Sequence, residues 1–174
     1  FMKKMILYCF LLSSVGAFAQ SIEKKTPNKS DGSTTISTTR EGLYLQLGDA
    51  WMAVTGHTVI TPEDSTASFR LEFEVRGMCK ASISPDKSSA TLLTDKGERI
   101  KLFYIGKHKS FTPNDLSIQI NFNITQEQLE MLSQSKVTDI KVITDKLTDY
   151  PLKANKQQTI ANIAKLLIKA SKNT

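Results

Sequence analysis

The stretch that most constrains this fold is Leu116 to Ser133, LSIQINFNITQEQLEMLS, where a period of two gives way to a helical period at a single residue. Leu116, Ile118, Ile120, Phe122 and Ile124 alternate with Ser117, Gln119, Asn121 and Asn123. Successive side chains of a strand point to opposite faces, so this run predicts a strand buried on one face only. The period changes at Thr125. A threonine there can accept a hydrogen bond from the backbone N–H three residues on, and Gln128 at that position can return one to the cap's own N–H. Glu127 lies in the first turn, where a carboxylate suits the positive end of the helix dipole, and Leu129 and Leu132 share a face. Losing such a cap costs about 1 kcal/mol. The strand's exit and the helix's entry are therefore set locally, and the flanking runs must pack against them.

Those runs are also mostly strand-like. Phe69, Leu71, Phe73 and Val75 alternate with Arg70, Glu72, Glu74 and Arg76. Leu43, Leu45 and Leu47 lead to Gly48-Asp49, a pair that suits a hairpin turn into a return strand from Ala50 through Trp51 towards Ile60. Ser88 to Thr94, the turn Asp95-Lys96-Gly97 and Glu98 to Ile105 form a second hairpin, with Gly97 where a left-handed backbone is wanted. Residues 100–105 (IKLFYI) are apolar on both faces apart from Lys101, which predicts a strand covered on both sides; a basic-polar loop is expected from Gly106 to Asn114. Val137 to Thr144 and a short strand over 147–152 follow. The last element is a helix of about 156–170, capped by Asn155, with Ile160, Ile163, Ala164, Leu167 and Ile168 as its apolar stripe. The layout is α+β: an antiparallel, mostly β sheet or sandwich with two helices, about 125–134 and 156–170, packed against it.

The ends of the chain read differently. Lys3 and Lys4, the apolar run Met5 to Leu12 and the small-x-small site Ala17-Phe18-Ala19 predict a signal peptide over residues 2–19, cleaved after Ala19. Its apolar run is short for a membrane span, so no transmembrane segment is expected after cleavage. Cleavage lowers 23 basic residues to 21 against 17 acidic, a net +4, and leaves Cys79 as the remaining cysteine. No intramolecular disulfide is then possible, and the cysteine is read as a small buried hydrophobe. Residues 20–41 are rich in Ser, Thr and Lys with two isolated aliphatics, Ile22 and Ile36, and predict a flexible leader to a single globular domain over 42–174.

Most specialised chemistries lack their usual signatures. The two histidines, His57 and His108, are far apart in sequence, and no Cys or His pair has metal-ligand spacing, so no metal is assigned. There is no P-loop, no G-x-G-x-x-G and no G-x-S-x-G elbow, so no cofactor and no catalytic residue is assigned. Glu72 and Glu74 have only their spacing to suggest a catalytic pair, and alternate charges on a strand more simply serve solvation. Lys153, Lys156, Lys165, Lys169 and Lys172 make the C-terminal region basic, which is compatible with an anionic membrane surface or with the solvated face of a docked helix. Nucleic acid is not expected as a partner. The outward amides Gln119, Asn121 and Asn123 are candidate ligand contacts of the kind a glycan would use, with Tyr44, Tyr104 and Tyr150 as candidate aromatics.

The run LLTDKGERIKL, the strand into ITQEQLEMLSQSKVTDIKVIT and the closing amphipathic helix together resemble a type of small exported bacterial α+β protein of uncharacterised function. In that type a strand leads into an Ile-Thr-x-Glu-Gln-Leu helix and a strand follows at once. The resemblance covers residues 88–168, and Lys96 lengthens the turn relative to the type. It implies no catalytic residue. The expected function is that of an exported non-catalytic domain, periplasmic or secreted, that binds a partner or serves envelope structure; an envelope protein or a glycan would be its partner. The competing expectations are a hydrolase with a site assembled from loops, and attachment to a membrane surface through the basic C-terminal helix.

Overall fold

The computed structural model describes residues 21–45, 51–62, 66–76, 88–110, 117–144 and 147–172, with side chains except at 44, 45, 51, 76, 106–110, 117 and 147. The expected signal segment, the Gly48-Asp49 turn, the Trp51 and Tyr44 side chains, Cys79 and the His108 side chain lie outside the described residues. The strands are β1 (Ile22–Pro27), β2 (Thr34–Thr38), β3 (Glu41–Leu45), β4 (Trp51–Ile60), β5 (Ala67–Arg76), β6 (Ser89–Thr94), β7 (Arg99–Ser110), β8 (Ser117–Ile124), β9 (Val137–Ile143) and β10 (Leu147–Pro151). The helices are α1 (Gln126–Ser133), between β8 and β9, and α2 (Thr159–Lys172), after β10.

Among the described residues the ten strands join one antiparallel sheet in the order β1-β2-β4-β5-β8-β7-β6-β9-β10, with β3 beside β2 on the same edge of β4. The α+β class, a mostly antiparallel sheet with two helices, is therefore the architecture of the chain. The hairpin β6–β7 is inserted between β8 and β9, so the chain neighbours β5 and β6 are three places apart in the sheet. One face is almost wholly apolar. Phe69, Leu71, Phe73 and Val75 of β5 and Ile118, Ile120, Phe122 and Ile124 of β8 are buried there, as their alternation predicts. Phe73 and Phe122 meet edge to face across the two strands, with ring centroids 5.8 Å apart.

Both helices lie on that face. Helix α2 contacts β2, β4 and β9, which are separated by up to six strand spacings. Six spacings span roughly 29 Å in a flat sheet, while a helix of 14 residues is about 21 Å long. The sheet therefore curls around the helices, and its other face is convex. Ile160, Ile163, Ala164 and Leu167, the stripe read from the sequence, are buried in the shared core, and Ile168 packs at its margin. Close approach of α2 to β4 rests on Gly56: a Cβ there would stand 2.5 Å from Ile163 Cγ2.

Local signals hold where hydrogen bonds are short-range. Thr125 caps α1, accepting from the Gln128 N–H at 3.2 Å, while Gln128 Oε1 accepts from the Thr125 N–H at 3.0 Å. Gly97 closes the β6–β7 turn at φ 81°, its N–H donating to the Thr94 carbonyl at 3.0 Å. Helix α2 begins at Thr159 and not near 156, so Asn155 does not cap it. Residues 154–158 form turns, and the Gln157 carbonyl accepts from the Val137 N–H of β9 at 2.9 Å. That tertiary bond holds the approach to the helix against the sheet.

Two further expectations are corrected. The segment 20–41 contains the strands β1 and β2, with β2 paired to β4 and Ile36 buried. Its order comes from backbone ladders and from the turn at Asn28–Ser33, and so is invisible to a count of apolar residues. The loop expected from Gly106 is strand as far as Ser110. The pairs Tyr104↔Phe122 and His108↔Ile120 place two extra residues in β7, a bulge after which the ladder with β8 resumes.

Candidate ligand-binding surface

The convex face carries the polar halves of the alternating strands. On β5 these are Arg70, Glu72 and Glu74, and on β8 they are Asn123, Asn121 and Gln119, which pair with them in that order. The candidate amides thus lie side by side on this face. Asn123 is exposed, and Asn121 and Gln119 are half-buried. Beyond β5, Arg70 pairs with His57 of β4, and His57 with Ser37 of β2. Beyond β8, Asn123 pairs with Phe103 of β7. One transverse row therefore reads Ser37, His57, Arg70, Asn123, Phe103.

Phe103 is the feature missed by sequence reading. Its side chain points away from the core and is 60% exposed, and Ile105, two residues on, is 38% exposed. The strand expected to be covered on both sides is covered on one. Phe103 shares the parity of Arg99 and Lys101, both exposed, and this was the available signal that it faces solvent. The Lys101 ammonium sits 5.1 Å from the centre of its ring. The expected aromatics are elsewhere: Tyr104 and Tyr150 are buried in the core cluster.

At the other end of the row, Ser37 Oγ lies 2.9 Å from His57 Nδ1. Glu72 Oε2 lies 3.9 Å from His57 Nε2, too long for a hydrogen bond. Burial, and then the nearby Arg70 guanidinium, push the imidazole pKa down to about 4, outweighing the attraction of the Glu72 carboxylate. The ring is therefore neutral near pH 7 and shares one hydrogen bond with the serine hydroxyl through Nδ1. An Arg40–Glu74 ion pair bridges the edge of the face across β4, where the outward Ala53 is buried.

A groove of about 430 Å³ opens at the end of the β5–β8 pair, lined by Ser68, Asn123, Thr125, Gln126 and Ser171 beside Ala67, Phe69 and Ile124. None of these lining residues is charged. Asn123 belongs both to the groove and to the row that includes Phe103. Among the described residues no group of three His, Cys, Asp or Glu side chains is placed to hold a metal ion, and no helix is long and apolar enough to cross a membrane. Comparison with family models, curated proteins and solved structures gives no match to this chain.

Proposed function

We propose that this protein is an exported, non-catalytic binding domain whose ligand surface is the convex face around Phe103 and Asn123. The observation that carries the reading is Phe103, a phenylalanine 60% exposed beside an exposed amide on a face that folding does not need to be apolar. Export rests on the segment Lys3 to Ala19 and on the resemblance of residues 88–168 to small exported bacterial proteins.

The hydrolase alternative would rest on the Ser37–His57 contact. Three features weigh against it. The face is convex; the Glu72 carboxylate is too distant to orient the ring; and Ser37 is held within a paired strand, between Lys24 and His57. Backbone committed to neighbouring strands supplies no oxyanion donors of the kind acyl transfer needs. Attachment to a membrane through the last helix is opposed by the commitment of its apolar stripe to the core.

The test is differential capture. The immobilised protein and its Phe103→Ser/Asn123→Ala variant are exposed to the same envelope extract of the source cell. The reading expects material retained by the native face and lost from the variant. Equal retention by both would sink it. A fluorophosphonate that labels Ser37 would instead favour the hydrolase.

A further inference from the structure

We infer that the ligand of this surface is a neutral oligosaccharide, seated in the groove at Asn123 and extending over the ring of Phe103. The inference rests on the binding reading above and adds the chemical class. The groove's polar lining consists of side-chain amides and hydroxyls, from Asn123, Gln126, Ser68, Thr125 and Ser171, with no charged residue among them. Such groups donate and accept, which suits vicinal hydroxyls and leaves a fixed charge on the ligand without a partner in the groove. Its volume of about 430 Å³ is within the range of small-ligand clefts. One strand away, Phe103 offers a rigid apolar surface to the C–H face of a sugar ring. The Phe103 and Asn123 backbones are direct partners across β7 and β8, so the platform and the amide stand about 5 Å apart, within reach of a single extended ligand. An acidic peptide or an anionic bilayer would instead need cations in the groove. The nearest outward cations, Arg70, which adjoins Asn123 in the row, and Lys101, which stands over the Phe103 ring, do not line the groove.

The test uses the purified protein and neutral hexasaccharides derived from glucan, mannan, galactan and chitin, with polyglutamate as an anionic control. Binding is followed by calorimetry and by the Asn123 side-chain amide resonances. The inference expects saturable binding of at least one neutral hexasaccharide that shifts those resonances. Affinity should fall roughly tenfold or more in Phe103→Ala and in Asn123→Ala, because truncating an anchor at the centre of a contact has that effect. Lys165→Ala, on the exposed side of α2, should leave affinity unchanged. Absence of binding to all four, binding indifferent to both variants, or equal binding of polyglutamate overturns the inference. If the sugars fail while differential capture from the envelope extract persists, the glycan class falls and the binding reading stands. If capture is also unaffected, both fall.

Discussion

Substitution of Gly56 by alanine tests the feature on which the domain's closure depends, the seating of α2 on β4. An alanine Cβ would stand 2.5 Å from Ile163 Cγ2 and 3.0 and 3.2 Å from the two δ-carbons of Leu167. Carbon atoms rest at about 3.5–4.0 Å, so the nearest contact is short by about 1 Å. Ile163 cannot swing aside, because it is β-branched and has no exposed surface, and Leu167 is nearly as enclosed. Overpacking of this kind costs about 1–3 kcal/mol. Against it stands the gain of roughly 0.5–1 kcal/mol from replacing a glycine inside a regular element. The net expectation is a loss of about 1–2 kcal/mol, measured as a lower urea midpoint in equilibrium unfolding followed by circular dichroism. A double-mutant cycle with Ile163→Ala sharpens it: the alanine at 56 fills part of the space vacated at 163, so the pair should be less destabilised than the sum by about 1 kcal/mol. If Gly56→Ala is neutral or stabilising, α2 does not sit against β4 as described. Its apolar stripe would then be available to a membrane surface.

Other perturbations follow from single contacts. Thr58 Oγ1 is buried with no hydrogen-bond partner, so Thr58→Val should raise stability by roughly 1 kcal/mol, read from the same urea transitions. Thr125→Ala removes the side-chain half of the α1 capping box, the hydroxyl that accepts from the Gln128 N–H, and should cost about 1 kcal/mol, seen also as faster amide exchange in the first turn of α1. The His57 pKa is lowered from 6.5 to about 4, so the unfolded chain binds the proton first as pH falls. Stability from this group is present above pH 6.5, is lost between 6.5 and about 4, and amounts to roughly 3 kcal/mol at most. Its titration by NMR, and a smaller loss of stability between pH 7 and 4.5 in His57→Gln than in the native protein, check the sign.

What could be read from the residues depended on the range of the interaction. The β5 and β8 faces, the Thr125–Gln128 capping box, the left-handed Gly97 and the α2 stripe are each specified within a few residues, and each stands as its pattern predicts. Failures begin where a distant strand decides. β1 is exposed at every residue and is strand because β2 offers it a ladder, while β2 exists because β4 offers another. The β2–β3 step is a bulge sealed by Thr38, whose Oγ1 accepts from the Gly56 N–H at 3.0 Å, and no alternation rule anticipates a side chain standing in for a ladder carbonyl. In β7 two inserted residues restore the pairing beyond Tyr104, where a basic-polar run suggested a loop. The candidate surface was half legible. The amides Gln119, Asn121 and Asn123 were read correctly as outward, but the aromatic beside them was assigned to the core, because an apolar residue in a central strand is ordinarily buried.

That misassignment bears on function. The apolar face of the sheet is covered by α1 and α2, and its residues are accounted for by burial. On the convex face the requirements of folding are looser: outward positions need β propensity and solubility, which threonine, lysine or arginine supply at neighbouring sites such as Thr55, Lys101 and Arg70. A phenylalanine 60% exposed there gains little from burial, and the Lys101 ammonium stands over its ring. It also adds a patch of the kind that sheet proteins tend to suppress. Folding explains the strand in which Phe103 lies but not the choice of phenylalanine at that position. An outward ring adjoining an uncharged polar groove is instead the arrangement expected of a surface that binds.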